Sequence, residues 1–123
     1  ILDKVSENEG VRHFCVFDEL YSGTNPYEAT AAAYAYLEYL SGNKNVSFVL
    51  TTHYINLCKS LNKNKNIQNY HMDAKFNSNK EIEYKYLLKK GISDIKGGIN
   101  VLLDLNYPDT ITSNAQRYIN KAD

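Results

Sequence analysis

The chain reads as an α/β layer: parallel strands joined by a helix, then a β-hairpin, then closing helices. Three observations predict it. Two short apolar runs, at residues 11–17 and 46–51, each end in polar residues. A well-punctuated helical stretch lies between them, and a β-α-β order of this kind makes the strands parallel if they share a sheet. Further along, two stretches of alternating apolar and polar residues flank the turn-like Asn77-Ser78-Asn79, which predicts a hairpin.

Residues 11–17 (VRHFCVF) are mostly apolar and rich in β-branched and aromatic types, which suggests a buried strand running into Asp18-Glu19. The stretch 21–25 (YSGTN) is loop chemistry. A helix then opens with Asn25 as N-cap, Pro26 at the first helical position and Glu28 completing a capping-box-like pair. Ala29, Ala32, Ala33, Tyr36, Leu37 and Leu40 follow helical spacing and form one face, and Gly42 ends the helix. Residues 46–51 (VSFVLT) are a second buried strand, leading to Thr52-His53. A short helix follows with Tyr54, Leu57, Cys58 and Leu61 on one side, and then a Lys/Asn loop at 62–66 whose charges read as solvated.

In the hairpin, Tyr70, Met72, Ala74 and Phe76 alternate with polar residues, as do Ile82, Tyr84, Tyr86 and Leu88. Residues 91–98 read as a loop and 99–105 as a helix. Pro108 opens a last helix with Ile111, Ala115, Tyr118 and Ile119 on its inner face.

Composition bounds the function. A chain of 123 residues fits one domain, and its apolar fraction of 43% allows a packed core. The formal net charge of zero gives no support for a free-standing nucleic-acid binder, though it leaves room for a motor whose DNA contacts lie elsewhere. Cys15 and Cys58 do not make a disulfide framework, and Cys15 reads as a small core residue. No stretch is long and apolar enough to span a bilayer, so no membrane partner is expected. The first ten residues are mixed and polar rather than signal-like, and an intracellular location, cytoplasmic or nucleoid-associated, is expected. The chain has no initiator Met and opens in what reads as mid-helix, so it is expected to be part of something larger.

Two strand ends carry possible chemistry. Strands of an α/β sheet open into the ligand crevice at their carboxyl ends. An apolar strand ending in adjacent acids is the Walker B pattern of NTPases. There Asp18 can hold a nucleotide-bound Mg²⁺ and Glu19 can orient or deprotonate the attacking water. The plain alternative is a strand followed by a solvated acidic turn. His53, at the end of the second strand, can donate to a γ-phosphate or merely cap the strand. Parallel strands put Asp18, Glu19 and His53 on one rim. Ser22, Gly23, Thr24 and Asn25 lie between them at a helix N-terminus that favours an anion or an apposed polar surface. The combination is more specific than either end alone. Elsewhere, His13 and His71 have no partners at metal-ligand spacing. Tyr34, Tyr36 and Tyr39 cannot share one helical face as a stacking platform, and Ser22 has no catalytic base near it in sequence.

Taken together, FCVFDELYSGTNPYEA followed by FVLTTHY resembles the Walker B, D-loop and H-loop segments of the MutS family of ABC-type ATPases. NYHMDAKFNSNKEIEYKYLLKKG is similar to that family's hairpin after the histidine, and Gly97-Gly98-Ile99 with residues 108–119 resemble its closing helices. Ile1-Leu2 resembles the tail of the helix after the signature serine. The resemblance covers nearly the whole chain in order. It implies residues 1–123 as the C-terminal portion of a MutS-like ATPase domain, a partial P-loop NTPase layer. Asp18 would be the Walker B acid on Mg²⁺, Glu19 the catalytic glutamate, and Ser22, Gly23 and Thr24 the D-loop. His53 would be the switch histidine sensing the γ-phosphate. ATP and Mg²⁺ are the implied ligands. The implied partners are a second copy or related subunit across the ATP site, and DNA through other parts of the full-length protein.

Two departures from the family pattern stand out. The Gly-x-x-x-x-Gly-Lys-Ser/Thr phosphate loop and the signature segment are not in the sequence; the resemblance puts both upstream of Ile1, so this stretch alone is expected to be inactive. The D-loop reads Gly-Thr-Asn-Pro, whereas mismatch-repair members usually read Gly-Thr-Ser-Thr, and a MutS-related ATPase of another branch fits equally well. The competing readings are an SMC-like or other ABC-type ATPase fragment and a non-catalytic dimerisation module.

Overall fold

The computed structural model describes residues 1–7, 10–79, 81–94 and 105–122. They form a mixed α/β chain in two compact units, the first of Ile1–Tyr70 with Lys90–Ile92, the second of His71–Lys89 with Ser93–Asp123. Of the loop predicted at 91–98 and the helix predicted at 99–105, residues 95–104 lie outside the described residues, and Leu105 stands in a turn.

In the first unit the order is α1 (Leu2–Glu7), β1 (His13–Asp18), α2 (Pro26–Ser41), β2 (Val46–Thr51) and α3 (Ile55–Leu61). As expected, β1 and β2 pair in parallel, in a register that runs from His13 opposite Val46 to Asp18 opposite Thr51. Pairing starts at His13, whose N–H donates to the Asn45 carbonyl at 2.7 Å, and it takes in Asp18. The strand therefore sits further toward the acids than the apolar run at 11–17 suggests, because the ladder is set by β2 rather than by hydrophobicity.

The helix between the strands begins as its sequence dictates. The Asn25 side-chain oxygen accepts from the Tyr27 N–H at 2.9 Å, with Pro26 at the first helical position. Ala29, Ala33, Leu37 and Leu40 are buried on one stripe, while Ala32 falls on the exposed side. Gly42 ends the helix in a right-handed conformation (φ −78°), so its freedom to adopt positive φ is not used. The chain turns instead through Asn43, whose side chain accepts from the Asn45 N–H at 2.9 Å. The core joins Phe17 with Ala33, Leu37 and Leu40 of α2 and Leu57 and Leu61 of α3, and Phe17 stands edge-on to Tyr36 at 5.7 Å. The Lys/Asn loop after α3 is pinned by its asparagines: the Asn64 amide donates to the Ser41 hydroxyl at 2.9 Å and the Asn66 amide to the Ser41 carbonyl at 3.2 Å, while beyond the loop the Asn69 amide donates to the Cys58 carbonyl at 2.8 Å.

The strands are half-buried rather than buried. α2 covers the face carrying Cys15, Phe17, Phe48 and Leu50. On the other face Phe14 and Val16 are 69% and 68% exposed, with Val49 exposed beside them. Parallel sheets are ordinarily covered on both faces, which is why their strands read as continuous apolar runs. Here only one covering layer is present among the described residues.

In the second unit, β3 (Tyr70–Phe76, starting at the unit's boundary) and β4 (Ile82–Lys90) form an antiparallel hairpin, as the alternation predicts. Asn77 closes it. Its N–H donates to the Glu81 carbonyl at 2.9 Å, and its side-chain oxygen accepts from the Asn79 and Glu81 N–H groups. The chain ends in α4 (Asp109–Ala122), opened by Pro108, whose carbonyl accepts from the Ile111 and Thr112 N–H groups.

Candidate functional site

Parallel pairing brings the carboxyl ends of β1 and β2 side by side, and with them the polar residues that end each strand. Asp18 is the last residue of β1 and faces Thr51, the last of β2. The Thr51 hydroxyl donates to Asp18 Oδ1 at 2.5 Å. One residue on, the Glu19 N–H donates to the Thr51 carbonyl at 2.9 Å, which extends the strand pairing by one bond. His53 follows β2 immediately, and its Nδ1 lies 3.5 Å from Glu19 Oε1. Both side chains are more than half exposed, so any ion pair formed when the imidazole is protonated is weakened by solvent. The His53 ring also lies 4.8 Å from that of Tyr54, whose N–H donates to the Thr52 hydroxyl at 3.0 Å. That bond fixes the chain just after His53.

The backbone of this rim is under constraint. Glu19 has φ 51° and Tyr21 has φ 62°, left-handed conformations that side chains other than Gly and Asn rarely adopt. Such residues cost roughly 1–3 kcal/mol each and persist where their surroundings over-determine them. Glu19 is held from both sides: its N–H by Thr51, and its carbonyl by the Ser22 N–H at 3.1 Å. The tight turn sends the chain from β1 through Ser22, Gly23 and Thr24, all exposed, to Asn25 and the N-terminus of α2. A Cβ on Gly23 would meet nothing within 4 Å, so the loop is open at that point.

The structure thus places Asp18, Glu19 and His53 on one rim, with the 22–24 loop rising from the same strand end. It adds one partner that has no role in the sequence reading, Thr51. Thr51 ends its strand as Asp18 ends the other, and the parallel register sets the two opposite each other.

The rim offers a divalent cation few protein ligands. Among the described residues no three His, Cys, Asp or Glu side chains come together as a metal cage. Asp18 is exposed, with one oxygen bonded to Thr51 and the other unassigned. This donor set fits a hard cation that takes one carboxylate and completes its sphere with water and substrate phosphates, the habit of Mg²⁺.

Comparison with known proteins identifies the family. The family described as MutS domain V matches residues 1–123. Among curated relatives, the DNA mismatch repair protein MutS of Leuconostoc mesenteroides is 33% identical over 100 residues, covering 81% of this chain and 12% of the relative. The DNA mismatch repair protein MutS of Aquifex pyrophilus is 27% identical over 118 residues, covering 96% of this chain and 14% of the relative. The DNA mismatch repair protein MSH2 of Saccharomyces cerevisiae is 27% identical over 127 residues, covering 97% and 13%. The chain spans only 12–14% of the length of these relatives. No helix among the described residues is long and apolar enough to cross a membrane. With a match over its whole length, the chain belongs to the MutS domain V family.

Proposed function

We propose that this chain is the cation- and water-handling half of an ATP site in a MutS-like DNA repair protein. The observation that carries the reading is the meeting of Asp18, Glu19 and His53 at the carboxyl ends of paired parallel strands. Asp18 is the Walker B acid and Glu19 the residue that orients and deprotonates the attacking water. His53 is the donor to the γ-phosphate. Ser22, Gly23 and Thr24 form a D-loop facing a second copy or a related subunit. The whole of residues 1–123 then belongs to one ATPase domain of P-loop type, working inside the cell on DNA that other parts of the protein hold.

Physical chemistry supports each assignment. Asp18 would hold Mg²⁺, which neutralises phosphate charge when the nucleotide is bound. Glu19 stands on a constrained turn, which fixes a general base more tightly than an unstrained loop does. His53 lies beside Glu19, so one bound γ-phosphate can reach both. A phosphate-binding loop is missing from the sequence, so the proposal requires that loop from elsewhere in the protein. The bare sheet face of Phe14, Val16 and Val49 gives further segments of the same domain an apolar seat. The names of the relatives support DNA mismatch repair as the process. In the full-length protein, Glu19→Gln tests the reading: ATP binding is retained and hydrolysis is lost.

A further inference from the structure

Resting on the ATP-site reading above, we propose that Thr51 is a positioning residue that makes Asp18 a one-oxygen ligand and so tunes the site to Mg²⁺ over Ca²⁺. Three observations carry this. The strand register sets Thr51 directly opposite Asp18. Its hydroxyl donates to Asp18 Oδ1 at 2.5 Å, a charge-assisted bond at the short end of the range. Its carbonyl also takes the Glu19 N–H at 2.9 Å, so one residue ties down both acids, Asp18 by side chain and Glu19 by backbone.

The hydroxyl is not needed for folding. Thr51 and Asp18 are both exposed, so neither polar group must be satisfied to avoid a burial penalty. A valine has the same branched shape and equal or better strand preference. What the hydroxyl adds is orientation. Without it the Asp18 carboxylate rotates freely and presents either or both oxygens. With it, Oδ1 is occupied and Oδ2 is left for the cation.

That difference separates the two cations. Mg²⁺ demands near-octahedral geometry and takes carboxylates through one oxygen. Ca²⁺ accepts more ligands in flexible geometry and readily takes both oxygens of one carboxylate. Among the described residues no three-ligand cluster backs Asp18, so within this stretch its alignment is the lever on the choice.

The test is equilibrium ATP binding to the full-length protein, titrated separately with Mg²⁺ and with Ca²⁺. It compares wild type, Thr51→Val, Thr51→Ala, Thr51→Ser and Asp18→Asn. The expected result is that Thr51→Val and Thr51→Ala raise the half-saturating Mg²⁺ concentration about tenfold, the scale of one lost charge-assisted hydrogen bond. Half-saturation by Ca²⁺ moves less than about threefold, and Thr51→Ser keeps the wild-type preference. Either hydroxyl-free variant suffices if the other folds poorly. An unchanged Mg²⁺ requirement, an equal loss for both cations, or a serine as impaired as valine overturns the proposal while leaving the ATP-site reading intact. An Asp18→Asn protein that still needs the same Mg²⁺ overturns the ATP-site reading and this proposal with it.

Discussion

Leu37→Ala measures whether α2 holds the strands that carry the site. Leu37 is 0% exposed and packs among Phe17, Leu40, Leu57 and Leu61. Truncation to alanine removes three buried carbons, worth about 2–2.5 kcal/mol at about 0.8 kcal/mol per CH₂. The cavity left between helix and sheet adds to this, for a total of about 3–4 kcal/mol, inside the range for such changes. Val16→Ala is the control, because Val16 is 68% exposed on the uncovered face and should cost less than about 0.5 kcal/mol. The assay is urea denaturation of the 123-residue chain followed by far-UV circular dichroism, comparing midpoints at constant slope. In the full-length protein the same Val16→Ala change should cost more, since the proposal seats other segments on that face. A Leu37→Ala chain within about 1 kcal/mol of wild type, or a Val16→Ala chain as damaged as Leu37→Ala, would refute the packing on which the rim depends.

Other outcomes follow from the same geometry. The 123-residue chain alone should hydrolyse no ATP in a phosphate-release assay, because its sequence carries no phosphate-binding loop for the β- and γ-phosphates, and turnover sensitive to Glu19→Gln would contradict this. Burial pushes the Cys58 thiol above its ordinary value of 9.0. A thiol whose folded pKa is raised contributes stability in full below its unfolded value, and the contribution fades as pH rises through the folded value. Thermal melts should therefore show stability declining on the alkaline side of pH 9.0, less steeply in Cys58→Ala, and equal slopes for the two would count against this.

How much of this was legible in the sequence depended on the kind of information each feature needs. The parallel pair, the hairpin and α2 follow from periodicity and punctuation that act locally: Asn25 and Pro26 start the helix whatever surrounds it. The meeting of Asp18, Glu19 and His53 was legible because parallel strands joined by one helix must share a carboxyl rim. Three features were not. Sequence assigns both faces of β1 to a core, but Phe14 and Val16 are bare, because periodicity reports what a residue is fit to bury and not whether a layer is there to cover it. The left-handed backbone at Glu19 and Tyr21 also left no mark, since neither residue type signals positive φ as Gly or Asn would. The Thr51–Asp18 bond depended on register, which is undefined until the strands pair.

The most direct test of the central claim is single-turnover ATP hydrolysis alongside nucleotide binding in the full-length protein, for wild type, Glu19→Gln and His53→Ala. Glutamine keeps the reach of Glu19 and removes its basicity. The account predicts that Glu19→Gln binds ATP with an unaltered Mg²⁺ requirement, hydrolyses it roughly a hundredfold or more slowly, and lengthens the life of the dimer. It predicts that His53→Ala also slows turnover, through a lost γ-phosphate contact. Unchanged hydrolysis in Glu19→Gln would contradict the account and leave a non-catalytic dimerisation module in its place.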